Sequence, residues 1–268
     1  MKIILREQAL LPGGGSRLLS TVLLPVATLA GIVVAWQIFA WLLRLPVWIL
    51  PSPTSIVEAT LKWSPVLPMH IGITLYETLA GFMLAIVVGV SMAVLVVYSP
   101  ILQTTIYPIL LSLQSVPKVA IAPVLLIWVG YGQLPKIIVV FLVCFFPIIV
   151  STATGLNSVP GELLDLVRSL SPTQFQIFVK IRFPAAMSHI FVGLKVAITL
   201  AVVGAVIGEF VGSERGLGYL ILAATSQLNT PLAFGAMVLL TLMSIVLYYA
   251  LEGLERLIAP WAREEQQP

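Results

Sequence analysis

The chain has 268 residues, of which 59% are hydrophobic and 9% charged, with a mean hydropathy of +1.08. A soluble domain carries about 25% charged residues, so this chain cannot clothe itself in a wettable surface and reads as an integral membrane protein. The net charge of +3 comes from scattered basic residues, which make no nucleic-acid patch, and the single cysteine, Cys144, excludes an internal disulfide or a cysteine metal cluster. No linker or low-complexity stretch divides the chain, so 1–268 reads as one domain.

Lys2, Arg6 and Arg17 precede an apolar stretch over 18–43. The core of a cleaved signal peptide covers about 7–15 residues. This stretch is longer and reads as a retained first span behind a tail, 1–17, although "VATLA" leaves cleavage as the alternative. A helix needs about 20 apolar residues to cross the hydrocarbon, and six segments qualify: 18–43, 75–97, 101–128, 134–153, 190–210 and 232–251. An even number puts both termini on one side. With the termini cytoplasmic, the inner side holds Lys2, Arg6, Arg17, Arg168, Lys180, Arg182, Arg256 and Arg263, against Arg44, Lys62, Lys136 and Arg215 outside. The positive-inside rule favours that orientation.

Residues 46–70 form the outer connection after the first span. Ser55 and Glu58 have capping-box spacing and Ile56, Val57 and Leu61 share a side, which fits a short helix at the outer interface. An ordered loop fits equally well. The segment 101–128 holds Pro108, Pro117 and Pro123 together with Gln114, Ser115 and Lys118. Broken backbone in lipid is tolerated where protein or a water-filled cavity satisfies the freed groups. A charge at that depth faces a bundle interior or a pathway. Gln114, Ser115 and Lys118 are therefore candidate lining for a translocation path; the competing reading is an irregular interfacial helix whose Lys118 snorkels outward.

After the fifth span, "GEFVGSERGLGYLI" crowds Gly208, Gly212, Gly216 and Gly218 beside Glu209. A tight outer turn accounts for this; an outer gate at Gly216 and Gly218, with Glu209 on the path, accounts better for the glycine density. Thr230 and Pro231 suit the cap and first turn of the last span.

The inner loop 156–188 is unusually polar. Over Glu162 to Leu170, the residues Leu163, Val167 and Leu170 repeat at helical spacing with Leu166 beside them, opposite Glu162, Asp165 and Arg168. Ser171, Pro172 and Gln174 suggest the start of a second helix, with Phe175, Phe178 and Arg182 along one stripe and Ile177 and Ile181 along another, ending at Pro184. A structured polar hairpin with apolar anchors suits docking to another protein. A hairpin lying on the bilayer is the alternative, but such surface helices are basic and the first helix here is net acidic.

In this hairpin Asp165-Leu166-Val167, Ser171, Ile181, Phe183 and Pro184 keep the spacing of a cytoplasmic pattern: Glu-Ala-Ala, three residues, Gly, nine residues, Ile, one residue, Leu-Pro. Asp stands for Glu, Leu-Val for Ala-Ala, Ser for Gly and Phe for Leu. With "LPSPTSIV", "ETLAGF", "SLQSVPKVAIAPVLLIWVGYG", "FFPIIVSTATGL" and "ERGLGYLI" in order over 46–258, the chain resembles permease subunits of bacterial ATP-binding cassette importers, of the nitrate, sulfonate and taurine type. The resemblance implies a type I importer permease fold: an all-α bundle of about six transmembrane helices in the bacterial inner membrane. It implies that Glu162, Asp165, Leu166, Arg168, Ser171, Phe175, Phe178, Ile181 and Pro184 belong to a coupling loop that docks on an ATPase dimer. It further implies a second permease copy, a periplasmic or lipid-anchored substrate-binding protein and surrounding lipid as partners. No G-x-x-x-x-G-K-[ST] cradle is present, so no cofactor is expected on this chain; ATP and Mg²⁺ belong to the partner.

An ion-coupled secondary transporter or channel is the rival. It would be expected to carry intramembrane carboxylates or paired charges, whereas Glu77, Glu209, Glu252 and Glu255 read as span-end residues. An intramembrane enzyme is set aside, since His70 and His189 lie far apart in sequence with no triad beside either.

Overall fold

The computed structural model describes residues 23–43 and 46–261. The tail 1–17, the start of the first span (18–22), Arg44 and Arg263 lie outside the described residues. Within them the chain is helical throughout: α1 (Leu24–Leu42), α2 (Pro53–Lys62), α3 (Leu67–Tyr98), α4 (Pro100–Leu113), α5 (Lys118–Val129), α6 (Leu134–Leu156), α7 (Gly161–Ser169), α8 (Gln174–Ile177), α9 (Phe183–Gly212), α10 (Leu217–Ser226) and α11 (Thr230–Ile258). Five of these runs are long and apolar enough to cross a membrane, and α4 with α5 supplies a sixth if the two are taken as one broken span.

The centre of the bundle is α6, packed along α9 on one side and α3 on the other. Helices in lipid gain little from hydrophobic exclusion, so they associate through close packing at small residues. Here a Cβ at Gly81 would fall 2.5 Å from Val140 Cβ, and one at Gly193 2.5 Å from Ser151 Cβ. Phe82, Val140, Cys144, Ile148 and Ile198 fill the interior between these contacts. The Cys144 thiol donates to the Ala197 carbonyl at 3.2 Å. Large apolar side chains on the outer faces, such as Leu29, Trp41 and Val246, remain exposed for lipid.

Tyr98, at the end of α3, touches Phe178, and Trp261 beyond α11 donates from Nε1 to the Pro184 carbonyl. The bundle therefore has a hairpin end, carrying α7 and α8, and a far end, carrying α2 and α10.

Several helix boundaries depart from the sequence expectation. The segment 101–128 is two helices bent by 95°. Pro117 has no N–H to donate and holds extended backbone (ψ 100°) as the residue before α5. The interfacial helix exists as α2, but its cap is Ser52, whose Oγ accepts from the Ser55 amide at 3.3 Å; Ser55 and Glu58 form no box. Residues 67–70 belong to α3, entered through Pro68, rather than to the outer connection. Asn229, not Thr230, precedes α11, and Thr230 Oγ1 instead donates to the Trp48 carbonyl at 2.8 Å.

Candidate functional site

Three places carry chemistry: the hairpin, the break between α4 and α5, and a polar cluster at the far end.

In the hairpin, Leu164 and Ile177 are buried with Val159, and Val167 and Ile181 pack against them. The inward face of α7 is thus Leu164 and Val167. Leu163, Leu166 and Leu170 form a separate stripe that faces outward, with Leu166 66% and Leu170 80% exposed. This corrects the single apolar face expected over Leu163, Val167 and Leu170. Phe175 is 73% exposed, but Phe178 is half-buried: it meets the Tyr98 ring edge-on at 5.8 Å, and the Arg182 guanidinium lies 5.5 Å from the same ring. Arg168 and Asp165 pair at 3.1 Å on the exposed side, near exposed Glu162.

The second helix starts two residues later than expected. Thr173 is its cap, accepting from the Gln176 amide at 3.2 Å while Gln176 Oε1 accepts from the Thr173 amide at 2.9 Å. Ser171 instead closes α7 in the left-handed region at φ 53°. Pro184 does not stop the helix. A π turn over Phe178–Arg182 shifts the hydrogen-bond register, so Pro184 falls in the first turn of α9, where its missing N–H costs nothing.

At the break, Gln114 and Lys118 line a cavity of about 390 Å³ with Phe146, Pro147, Ser151 and Leu200. Lys118 Nζ donates to the Gln114 carbonyl at 3.2 Å and sits 5.1 Å from the centre of the Phe146 ring. Ser115 is exposed beside them but is not among the cavity's lining residues.

At the far end, Glu209 is fully buried. Its Oε1 accepts from Thr74 Oγ1 at 2.6 Å, and its Oε2 accepts from the amides of Gly218 at 2.5 Å and Tyr219 at 3.2 Å. A carboxylate from α9 thereby caps α10, satisfying N–H groups that the helix itself leaves open. Thr74 Oγ1 accepts the Leu217 amide at 2.8 Å, and His70 Nδ1 lies 3.0 Å from both the nitrogen and the oxygen of Gly216. Gly216 holds φ 115°, and a Cβ there would fall on the Glu209 carboxyl. Gly216 and Gly218 therefore make room for a cap. Glu209, with both oxygens engaged, belongs to that cap.

Lys136 and Glu77 correct the sequence reading most. Lys136, counted among the outer-loop charges, is buried in α6 and pairs with Glu77 Oε1 at 2.7 Å, while also donating to Ser213 Oγ at 2.8 Å. Lys195 pairs with buried Glu255 at 2.6 Å between α9 and α11. Paired charges thus do occur within the bundle. Part of this was legible, since His70, Thr74, Glu77, Thr78 and Gly81 recur on one side of α3 at helical spacing. A polar stripe on an otherwise greasy helix marks a buried network.

Residues 85–264 match the family model described as "Binding-protein-dependent transport system inner membrane component". The formylaminopyrimidine transport permease protein ThiX of Halalkalibacterium halodurans is 33% identical over 87% of this chain and 94% of its own. The taurine transport system permease protein TauC of Escherichia coli is 25% identical over 91% of this chain and 92% of its own. Among solved structures, the inward-facing MetNI methionine ABC transporter superposes with a TM-score of 0.64 at 21% identity, covering 73% of this chain and 97% of the matched chain.

Proposed function

The chain belongs to the binding-protein-dependent transport system inner membrane component family, and from that premise we propose that it is the membrane-spanning subunit of an ATP-driven importer of a small solute. It sits in the bacterial inner membrane with the hairpin end in the cytoplasm. Two copies enclose a passage, an ATPase dimer grips the hairpins, and a binding protein delivers solute at the far end. Relatives named for formylaminopyrimidine and for taurine support a small-solute cargo.

One observation carries this reading: Leu166, Leu170 and Phe175 are large apolar side chains left exposed on a hairpin that is packed from behind by Leu164 and Ile177. Such a patch at the polar end of a membrane protein suits a protein groove. The hairpin is also tied to the bundle in a way that would transmit a push. It runs through the π turn into α9, holds the end of α3 through Phe178 and Arg182 on Tyr98, and is braced by Trp261 on Pro184. A displacement there moves α9 and α3 together, and with them the walls around the break between α4 and α5. Closing one end while opening the other is the alternating access expected of such a permease.

The buried pairs Glu77–Lys136 and Lys195–Glu255 would also suit an ion-coupled carrier. Reconstituted complexes separate the two readings. The double change Asp165→Ala with Arg168→Ala removes an exposed pair worth about 0–1 kcal/mol, so melting stays unchanged. Substrate-stimulated ATP hydrolysis is expected to fall several-fold; unaltered hydrolysis would remove these residues from the coupling role, and uptake by the purified chain alone on an ion gradient would favour the carrier.

A further inference from the structure

We infer that the cavity at the break between α4 and α5 binds the anionic group of a small organic solute, with Lys118 as its counter-charge and Phe146 beneath its apolar part. This rests on the reading of a passage there and names the chemistry that passage accepts.

Among the described residues, α5, α6 and α9 carry one lysine each, Lys118, Lys136 and Lys195. Lys136 and Lys195 are each matched by a buried carboxylate, at 2.7 Å and 2.6 Å. Lys118, among the described residues, has no carboxylate within ion-pair distance; its ammonium holds one backbone carbonyl and lies over the Phe146 ring. Depth makes that difference matter. At 1.5 Å per residue, Lys118 lies about 16 Å in from the far end of α5, and Phe146 and Leu200 about 18 Å in from the far ends of α6 and α9, near the middle of a hydrocarbon core of roughly 30 Å. An ammonium at that depth costs a few kcal/mol unless matched.

The surroundings of Lys118 suit a visiting partner. The cavity, about 390 Å³, falls within the 300–1,000 Å³ of small-molecule sites. Its polar groups, Gln114, Lys118 and Ser151, share one space with Val143, Phe146 and Leu200. A sulfonate or carboxylate would take the ammonium through charge-assisted hydrogen bonds, and a short apolar body would rest on the ring and aliphatic wall. A neutral solute of the same size leaves the ammonium unmatched.

The test uses the purified full chain in detergent, titrated with butanesulfonate, butanoate and neutral butanamide. The wild-type chain is expected to bind at least one anion ten or more times tighter than butanamide, and the tighter anion identifies the headgroup. Lys118→Met is expected to weaken the anion tenfold or more, Lys118→Arg to stay within about threefold, and butanamide to be indifferent to both. Anion binding no tighter than butanamide in the wild-type chain, or equal anion affinity in a folded Lys118→Met chain, overturns the assignment. The wild-type comparison decides even if the methionine variant fails to fold. Because titration needs no ATPase, failure of the hairpin experiment and failure of this one are separate results.

Discussion

Ser171 holds φ 53° at the end of α7, a conformation that costs a residue with a Cβ about 1–2 kcal/mol and glycine almost nothing. The cytoplasmic pattern that the hairpin resembles has glycine there, and the backbone suits one: the chain leaves α7 through a left-handed residue before Pro172 and the Thr173 cap begin the next helix. Ser171→Gly is expected to stabilise the hairpin by about 0.5 kcal/mol, the relief being partly offset by the freer unfolded glycine. Slower hydrogen exchange in the amides of α7 and α8 of the purified chain would show it. The position was legible from the spacing of the pattern, but its torsion was not, since serine suits both a cap and a turn. Glu209 shows the same limit. A glutamate beside four glycines marks a constrained place, but only its distances to Gly218 and Tyr219 identify it as a cap for a helix in another segment.

At the level of elements, α3, α6 and α9 share a core built from glycine contacts and one buried charge pair. Glu77 on α3 and Lys136 on α6 lie 59 residues apart in sequence and 2.7 Å apart in space. Removing one partner strands the other in a low-dielectric interior. Glu77→Leu or Lys136→Met alone is therefore expected to cost about 3–5 kcal/mol, whereas the double variant recovers most of it because two well-packed apolar side chains replace a pair. Melting of the four detergent-solubilised chains completes the cycle; additive losses would mean that the pair contributes nothing as a pair. The α4–α5 break was visible as three prolines and a lysine. Its 95° angle was not, because proline removes a hydrogen bond without dictating where the next helix points. The π turn before α9 was equally hidden, since no residue type encodes it.

For the whole molecule, the hairpin is the proposed docking surface, and Leu166, Leu170 and Phe175 stand exposed on it among the described residues. Leu166→Asp together with Phe175→Asp places charge on two exposed positions, so melting is expected to change little. Retention of an ATPase subunit on a tagged chain in native membranes is expected to drop at least tenfold. Equal retention, or only lipid around the hairpin after crosslinking, would count against docking there. The clamp of His70, Thr74 and Glu209 on α10 ties α3, α9 and α10 together at the opposite end.

Composition by itself determined that the chain lies in a membrane: with 9% charged residues there is no other solvent in which this surface is stable. Periodicity and spacing determined the long spans and the polar hairpin, because these depend on neighbours within a few turns. Tertiary structure alone decided which charges are buried and matched, which leucines of α7 face inward, and that Lys118 has no carboxylate within ion-pair distance among the described residues. Those properties depend on what a side chain meets across a helix interface, and the meeting residues are dozens of positions away.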